Sequence, residues 1–184
     1  MYDTGDGHQV TALAVNGRTM YAAWCGPCNP GTGAPFARGL ATNAGGTWHE
    51  LSTGQLPNRY ITSIATDPAD PNHVYLSFGS YSRRWIPTAG YGHVFETKNG
   101  GATWSNVSGN LPDAPVFSVA IRGGQLIAGT EVGVMIANRS NPKSWSRLGT
   151  NLPNVTVWDL AVTPDATTVV AGTHGRGQWT LRLP

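Results

Sequence analysis

Val116-Phe117-Ser118-Val119-Ala120-Ile121 is followed by the turn Arg122-Gly123-Gly124 and a second short apolar run, Leu126-Ile127-Ala128-Gly129-Thr130. Alternation over so few residues suits a strand; on a helix it would scatter the apolar side chains around a 3.6-residue period. Three other segments repeat it: Val10-Thr-Ala-Leu-Ala-Val15, Ile61-Thr-Ser-Ile-Ala-Thr66 and Val157-Trp-Asp-Leu-Ala-Val162, with successive starts 51, 55 and 41 residues apart. Each precedes a second apolar run, at Met20–Trp24, Val74–Phe78, Leu126–Thr130 and Val169–Thr173. A third follows at Gly39–Thr42, Val94–Thr97, Val132–Ile136 and Gln178–Leu181. In three units a fourth run opens on Trp48, Trp104 or Trp145. Repeated four-stranded sheets at this period predict an all-β propeller of four antiparallel blades, 8–52, 59–108, 114–149 and 155–184, the last without its outer strand. Ala14, Ala65 and Ala120 suit the crowded centre, and the tryptophans suit packing between blades farther out.

Composition agrees with strands and turns. The 184 residues include 24 Gly and 13 Pro, and Pro68, Pro71, Pro112, Pro153 and Pro164 all fall in connections, where a missing N–H costs no ladder bond. Twelve Lys and Arg oppose ten Asp and Glu without a basic stripe, which argues against a nucleic-acid partner. No run approaches the roughly 18 apolar residues of a membrane helix. No cofactor motif is present, and no metal site is expected.

Trp24-Cys25-Gly26-Pro27-Cys28 matches the active-site pentapeptide of the thioredoxin family, but Asn29-Pro30-Gly31-Thr32-Gly33 cannot form the helix whose N-terminus stabilises the thiolate there. The alternatives are a local disulfide clipping a long loop, a free thiol pair, or half of a metal site lacking its other ligands.

The turns before the tryptophans, Asn43-Ala-Gly45-Gly-Thr47-Trp48 and Asn99-Gly-Gly101-Ala-Thr103-Trp104, resemble the Asp-box of the bacterial neuraminidase repeat. The resemblance implies that Asn43 and Asn99 take the Asp position and fold back on their own turns, and that Gly45 and Gly101 take the unusual backbone angle. Thr47 and Thr103 precede the anchoring Trp48 and Trp104. The recurring Leu56-Pro57, Leu111-Pro112 and Leu152-Pro153, with the ending Gly172-Thr-His174-Gly175-Arg176-Gly177-Gln-Trp179, look like the C-terminal blades of the sialidase-like, xyloglucanase-like and sortilin-like superfamily. That resemblance implies a portion of a larger ring of about seven or eight blades, and an extracellular or periplasmic location. The sialidase trio of arginines with its Tyr nucleophile has no counterpart in matching motifs. Xyloglucanase-like enzymes oppose carboxylates from two propellers, of which this chain supplies at most one.

Loops joining second to third strands should emerge beside the blade-to-blade connections. The long connections 25–38 and 79–91 should therefore be neighbours, and Arg83, Arg84, Trp85 and Tyr91 are candidate ligand-binding residues that stack on and grip a sugar or a protein. His174 and Arg176 should open toward the same face. Glu131 and Asp159 are the one carboxylate pair whose placement suggests glycosidase chemistry. The leading expectation is a non-catalytic module for an extracellular carbohydrate or protein partner. The alternatives are part of a secreted glycoside hydrolase whose other catalytic residues lie elsewhere, and an assembly scaffold. Self-association or a missing N-terminal segment would complete the ring.

Overall fold

The computed structural model describes residues 3–4, 7–26, 28, 37–82 and 90–183. Among them every regular element is a strand. The first sheet joins β1 (Gln9–Asn16), β2 (Thr19–Gly26), β3 (Ala37–Thr42) and β4 (His49–Glu50). The second joins β5 (Ile61–Asp67), β6 (Asp70–Phe78), β7 (Val94–Thr97) and β8 (Ser105–Asn106). The third joins β9 (Val116–Arg122), β10 (Gln125–Thr130), β11 (Gly133–Asn138) and β12 (Asn141–Arg147), and the fourth has β13 (Val157–Val162), β14 (Thr168–Thr173) and β15 (Gln178–Arg182). All neighbours are antiparallel and in chain order, the strand order of propeller blades.

Packing between sheets explains the alternation. In β5 the side chains of Ile61 and Ile64 point back to the first blade, where they join Tyr21, Ala23 and Leu40. Val116 and Val119 point back onto Tyr75 and Val94 of the second blade, and Val157 and Leu160 onto Ile127 and Val134 of the third. The innermost strands thus run side by side, β1 with β5, β5 with β9 and β9 with β13. In the first blade the equivalent Val10, Leu13 and Val15 are 55%, 68% and 68% exposed, since no described sheet stands behind them.

Each innermost strand also holds one residue too many. Register slips occur between Val10 and Ala12, between Ile61 and Ser63, opposite the Gly129–Thr130 step, and between Val157 and Asp159. The extra residues are Thr11, Thr62, Phe117 and Trp158. A bulge leaves its residue unpaired and bends the strand, so that the side chain is re-aimed at the end of the sheet.

Candidate functional site

Strand direction sorts the connections onto two faces. The β2–β3, β6–β7, β10–β11 and β14–β15 connections share a face with the starts of β5, β9 and β13; the tight turns within hairpins lie on the other. On the first, the loop face, the four bulges meet. Thr11, Tyr60, Thr62, Phe117 and Trp158 line a cleft of about 280 Å³. Phe117 and Trp158 pack with ring centroids 4.4 Å apart and planes inclined by 54°, and Trp158 remains 51% exposed. Its indole N–H donates to His174 Nδ1 at 3.2 Å, which makes Nδ1 the acceptor and leaves the ring proton on Nε2. His174 is itself held by its backbone N–H bond to Thr156 O, 2.8 Å.

The two carboxylates singled out in the sequence are engaged separately. Glu131, in the β10–β11 turn, accepts a hydrogen bond from the Tyr81 hydroxyl of the neighbouring blade, and this bond raises the Tyr81 pKa. Asp159 is exposed; its Oδ1 accepts from Ser118 Oγ at 3.2 Å and from the Leu160 N–H at 2.8 Å. Among the described residues the hydrogen bonds of the two carboxylates run to different partners. Arg176 is exposed, and its carbonyl accepts the Trp179 indole N–H at 3.1 Å. Arg83, Arg84 and Trp85 lie outside the described residues.

Tyr91 belongs to a second cleft, of about 490 Å³, with Ser82, His93, Asp113 and Lys143. Two residues of its lining, Gly92 and His93, are held by Arg59, which is 2% exposed and donates to Gly79 O at 3.1 Å, to Ser80 O at 2.8 Å, to Gly92 O and to His93 Nδ1 at 3.1 Å. One buried guanidinium thereby ties both ends of the 79–93 connection together. Burial lowers the Arg59 pKa to about 10. Burial likewise lowers that of His93, with the adjacent Arg59 charge acting in the same sense. His93 Nε2 meets Asp113 Oδ1 at 2.8 Å, and the Ser82 N–H donates to the same oxygen at 2.8 Å. Burial opposes ionisation of Asp113, but these hydrogen bonds hold its carboxyl below the usual range.

On the turn face, Arg139 from beyond β11 crosses to the second blade. Its guanidinium meets Asp67 Oδ2 and His73 Nδ1, the latter at 3.1 Å, and lies 5.8 Å from the Tyr75 ring centre. Glu96 Oε1 accepts from Tyr75 at 2.8 Å and lies 2.7 Å from His73 Nε2. Burial raises the Tyr75 pKa to about 12. For Asp67 burial acts in the same upward direction, yet the Arg139 and Ala69 hydrogen bonds bring its pKa below the usual value. Among the described residues no group of three His, Cys, Asp or Glu side chains is disposed to hold a metal ion.

The two Asn turns also sit here, and they differ. Asn99 Oδ1 accepts the Thr103 N–H at 2.9 Å, within its own turn. Asn43 instead reaches the β1–β2 hairpin, accepting the Met20 N–H at 2.6 Å and donating to Arg18 O at 3.0 Å. Asn43 directly follows Thr42 at the end of β3, whereas Lys98 separates Asn99 from Thr97 at the end of β7, so the two amides leave their strands one position apart. Gly45 and Gly101 have φ of 84° and 96°. Trp48 is half-buried, whereas Trp104 is buried. Cys25 and Cys28, on the loop face, bring their Cα atoms to 5.2 Å.

The bulge residues and the Arg59 cluster were not singled out by sequence reasoning. For the bulges a signal existed: the second position of the four repeats holds Thr11, Thr62, Phe117 and Trp158. Arg59, His93 and Asp113 are too far apart in the chain to form a motif.

No family model matches the chain. Over 58 residues, 28% of its length, it is 38% identical to xyloglucanase Xgh74A of Acetivibrio thermocellus, and over 80 residues, 40% of its length, 36% identical to a xyloglucanase of Hypocrea jecorina. Among solved structures it is similar to the GH74 xyloglucanase of Xanthomonas campestris, with a TM-score of 0.66 at 14% identity over 94% of the chain. Xyloglucanases recur in both sets. The chain spans only 7% and 8% of the two curated relatives and 29% of the solved structure, so the likeness establishes the propeller fold.

Proposed function

We propose that this chain forms part of the propeller of a xyloglucanase-like glycoside hydrolase acting outside the cell, and that its loop face holds a β-glucan. The observation that carries the reading is Trp158: a bulge re-aims an indole to the loop-face cleft, Phe117 packs against it, and about half its surface stays free. An aromatic ring half buried on its own neighbours loses little entropy when a flat sugar ring stacks on it. Thr62 lines the same cleft, Asp159 follows Trp158 in β13 and His174 is bonded to the Trp158 indole, which makes these three the polar groups available to sugar hydroxyls. Similarity to xyloglucanases favours a hydrolase part over the autonomous binding module expected first.

Hydrolysis needs a second carboxyl group across the bond to be cleaved. Glu131 and Asp159 are engaged with separate partners, so the reading assigns this chain substrate holding and at most one acid or base. The open side of β1, with Val10, Leu13 and Val15 exposed, supports a larger ring in which another blade covers it. The 97–104 turn fits an Asp-box, and the Cys25 and Cys28 positions fit a disulfide closing the loop-face connection.

Depletion of the protein by soluble xyloglucan in affinity electrophoresis tests the reading. Wild type should be retarded and Trp158→Ala retarded at least tenfold less at equal polymer. Equal retardation of both proteins, with both folded, would reject the platform.

A further inference from the structure

The cleft beside Tyr91 is framed by groups that satisfy one another. Arg59 donates to His93 Nδ1, so His93 carries its proton on Nε2 and gives it to Asp113 Oδ1, which also takes the Ser82 N–H. Ser108 Oγ accepts the His93 and Val94 N–H groups at 2.7 and 3.0 Å, and Asn106 Oδ1 accepts the Ser108 N–H at 2.9 Å. Across the cleft the Lys143 carbonyl accepts the Asn110 N–H at 3.3 Å. Gly109, at φ 49°, permits that approach, because a Cβ there would stand 1.8 Å from the same carbonyl oxygen. Three polar groups on this frame are left over. Among the described residues the Tyr91 hydroxyl, the Asn106 Nδ2 amide and the Lys143 ammonium have no hydrogen-bond or ionic partner, and all three residues are exposed and line the cleft. The one carboxylate in the lining, Asp113, forms no ion pair with Lys143 and is turned to His93 and Ser82.

We infer that this cleft is a second saccharide site, for an acidic sugar of the hexuronate class. The Tyr91 ring, 68% exposed, stacks on the pyranose face; the Lys143 ammonium meets the carboxylate; the Asn106 amide donates to a hydroxyl. Its volume of about 490 Å³ lies within the range of small-molecule sites. A neutral sugar would cover the ammonium without giving it a partner, and a small anion would leave the ring unused. The inference does not depend on the xyloglucan reading. The two clefts share no lining residue, and the described lining around Trp158 includes neither Lys nor Arg.

The probe is digalacturonate, titrated into the ¹⁵N-labelled chain beside its dimethyl ester, which keeps the sugar and removes the charge. Saturable shifts of the Tyr91, Gly92 and Gly109 amides and of the Asn106 side-chain amide are expected, with a Kd on the order of 1 mM for one ring and one charge. The ester should bind roughly fivefold more weakly, the scale of one exposed ion pair. Lys143→Gln and Tyr91→Ala, both at exposed positions, should weaken digalacturonate by a similar factor with an unchanged melting temperature, and Lys143→Gln should leave retardation by xyloglucan at the wild-type level. Equal binding of acid and ester would overturn the inference. So would shifts of the same size from sodium acetate at equal concentration, shifts centred on Trp158, or no saturable shift up to about 20 mM, far above the expected Kd.

Discussion

The two faces of the propeller arc spend their polar and aromatic side chains differently. On the turn face Arg139, Asp67, His73, Tyr75 and Glu96 satisfy one another across the second and third blades, and little of them is left for a ligand. On the loop face the Trp158 indole donates to His174 and packs against Phe117, and both Trp158 and His174 stay exposed beside a cleft. The same radial construction thus closes one end with charge and leaves the other as an aromatic mouth. Burial without a remaining donor or acceptor marks a fastening, and exposure of a rigid ring marks a site.

Removing the charge that fastens the turn face should have the largest effect. Arg139→Met leaves the Asp67 carboxylate without its main partner and should cost about 3 kcal/mol in chemical denaturation, the range for breaking a largely buried pair. Xyloglucan binding by the folded fraction should not change; a matching loss of binding would show that the faces are not independent.

Acid should come next, in two stages. His93 has a folded pKa below its usual 6.5, so the folded state resists a proton that the unfolded chain accepts. Its contribution is complete above pH 6.5 and is lost as pH falls through that value toward the depressed folded pKa. Asp67 and Asp113 have folded pKa values below 3.8, and their contributions are likewise present above 3.8 and lost further down. Melting temperatures from pH 7.5 to 3 should show both steps. In His93→Gln the step beginning near pH 6.5 should disappear; its persistence would remove His93 as the cause.

Trp158→Ala should be smaller still in stability, under about 1 kcal/mol, because a half-exposed ring loses little packing. Trp145→Ala, 4% exposed between two blades, provides the contrast and should cost about 3–5 kcal/mol. Equal costs would erase the distinction between a site tryptophan and a core tryptophan. Smallest is the Cys25 and Cys28 pair: reduction should add two hydrogens to the intact mass with little change in melting temperature, and an unchanged mass would exclude the bridge.

Strand number, order and the blade-to-blade use of tryptophan were legible because each rests on a local pattern. Val119 and Leu160 announce a buried strand face by alternation, and Trp104 and Trp145 announce the interface by recurrence. The site was less legible for a physical reason. A bulge breaks the alternation that reveals strands, so Phe117 and Trp158 look like ordinary strand residues until register is known. Arg59 fastens a connection 20 to 33 residues away through carbonyl groups, which every residue carries and no motif displays. Asn43 and Asn99 share a motif, yet one stands immediately after its strand and the other one residue farther on, and their amides meet different partners.

The central claim is that glycan binds at the loop face and nowhere else on the arc. Amide and indole shift mapping of the ¹⁵N-labelled chain with a xyloglucan oligosaccharide tests it most directly. The account predicts saturable shifts of the Trp158 indole N–H and of the Thr62, Phe117 and His174 amides, with Arg139 and His73 silent. Shifts centred on Arg139 and His73, or none at saturating sugar, would contradict it.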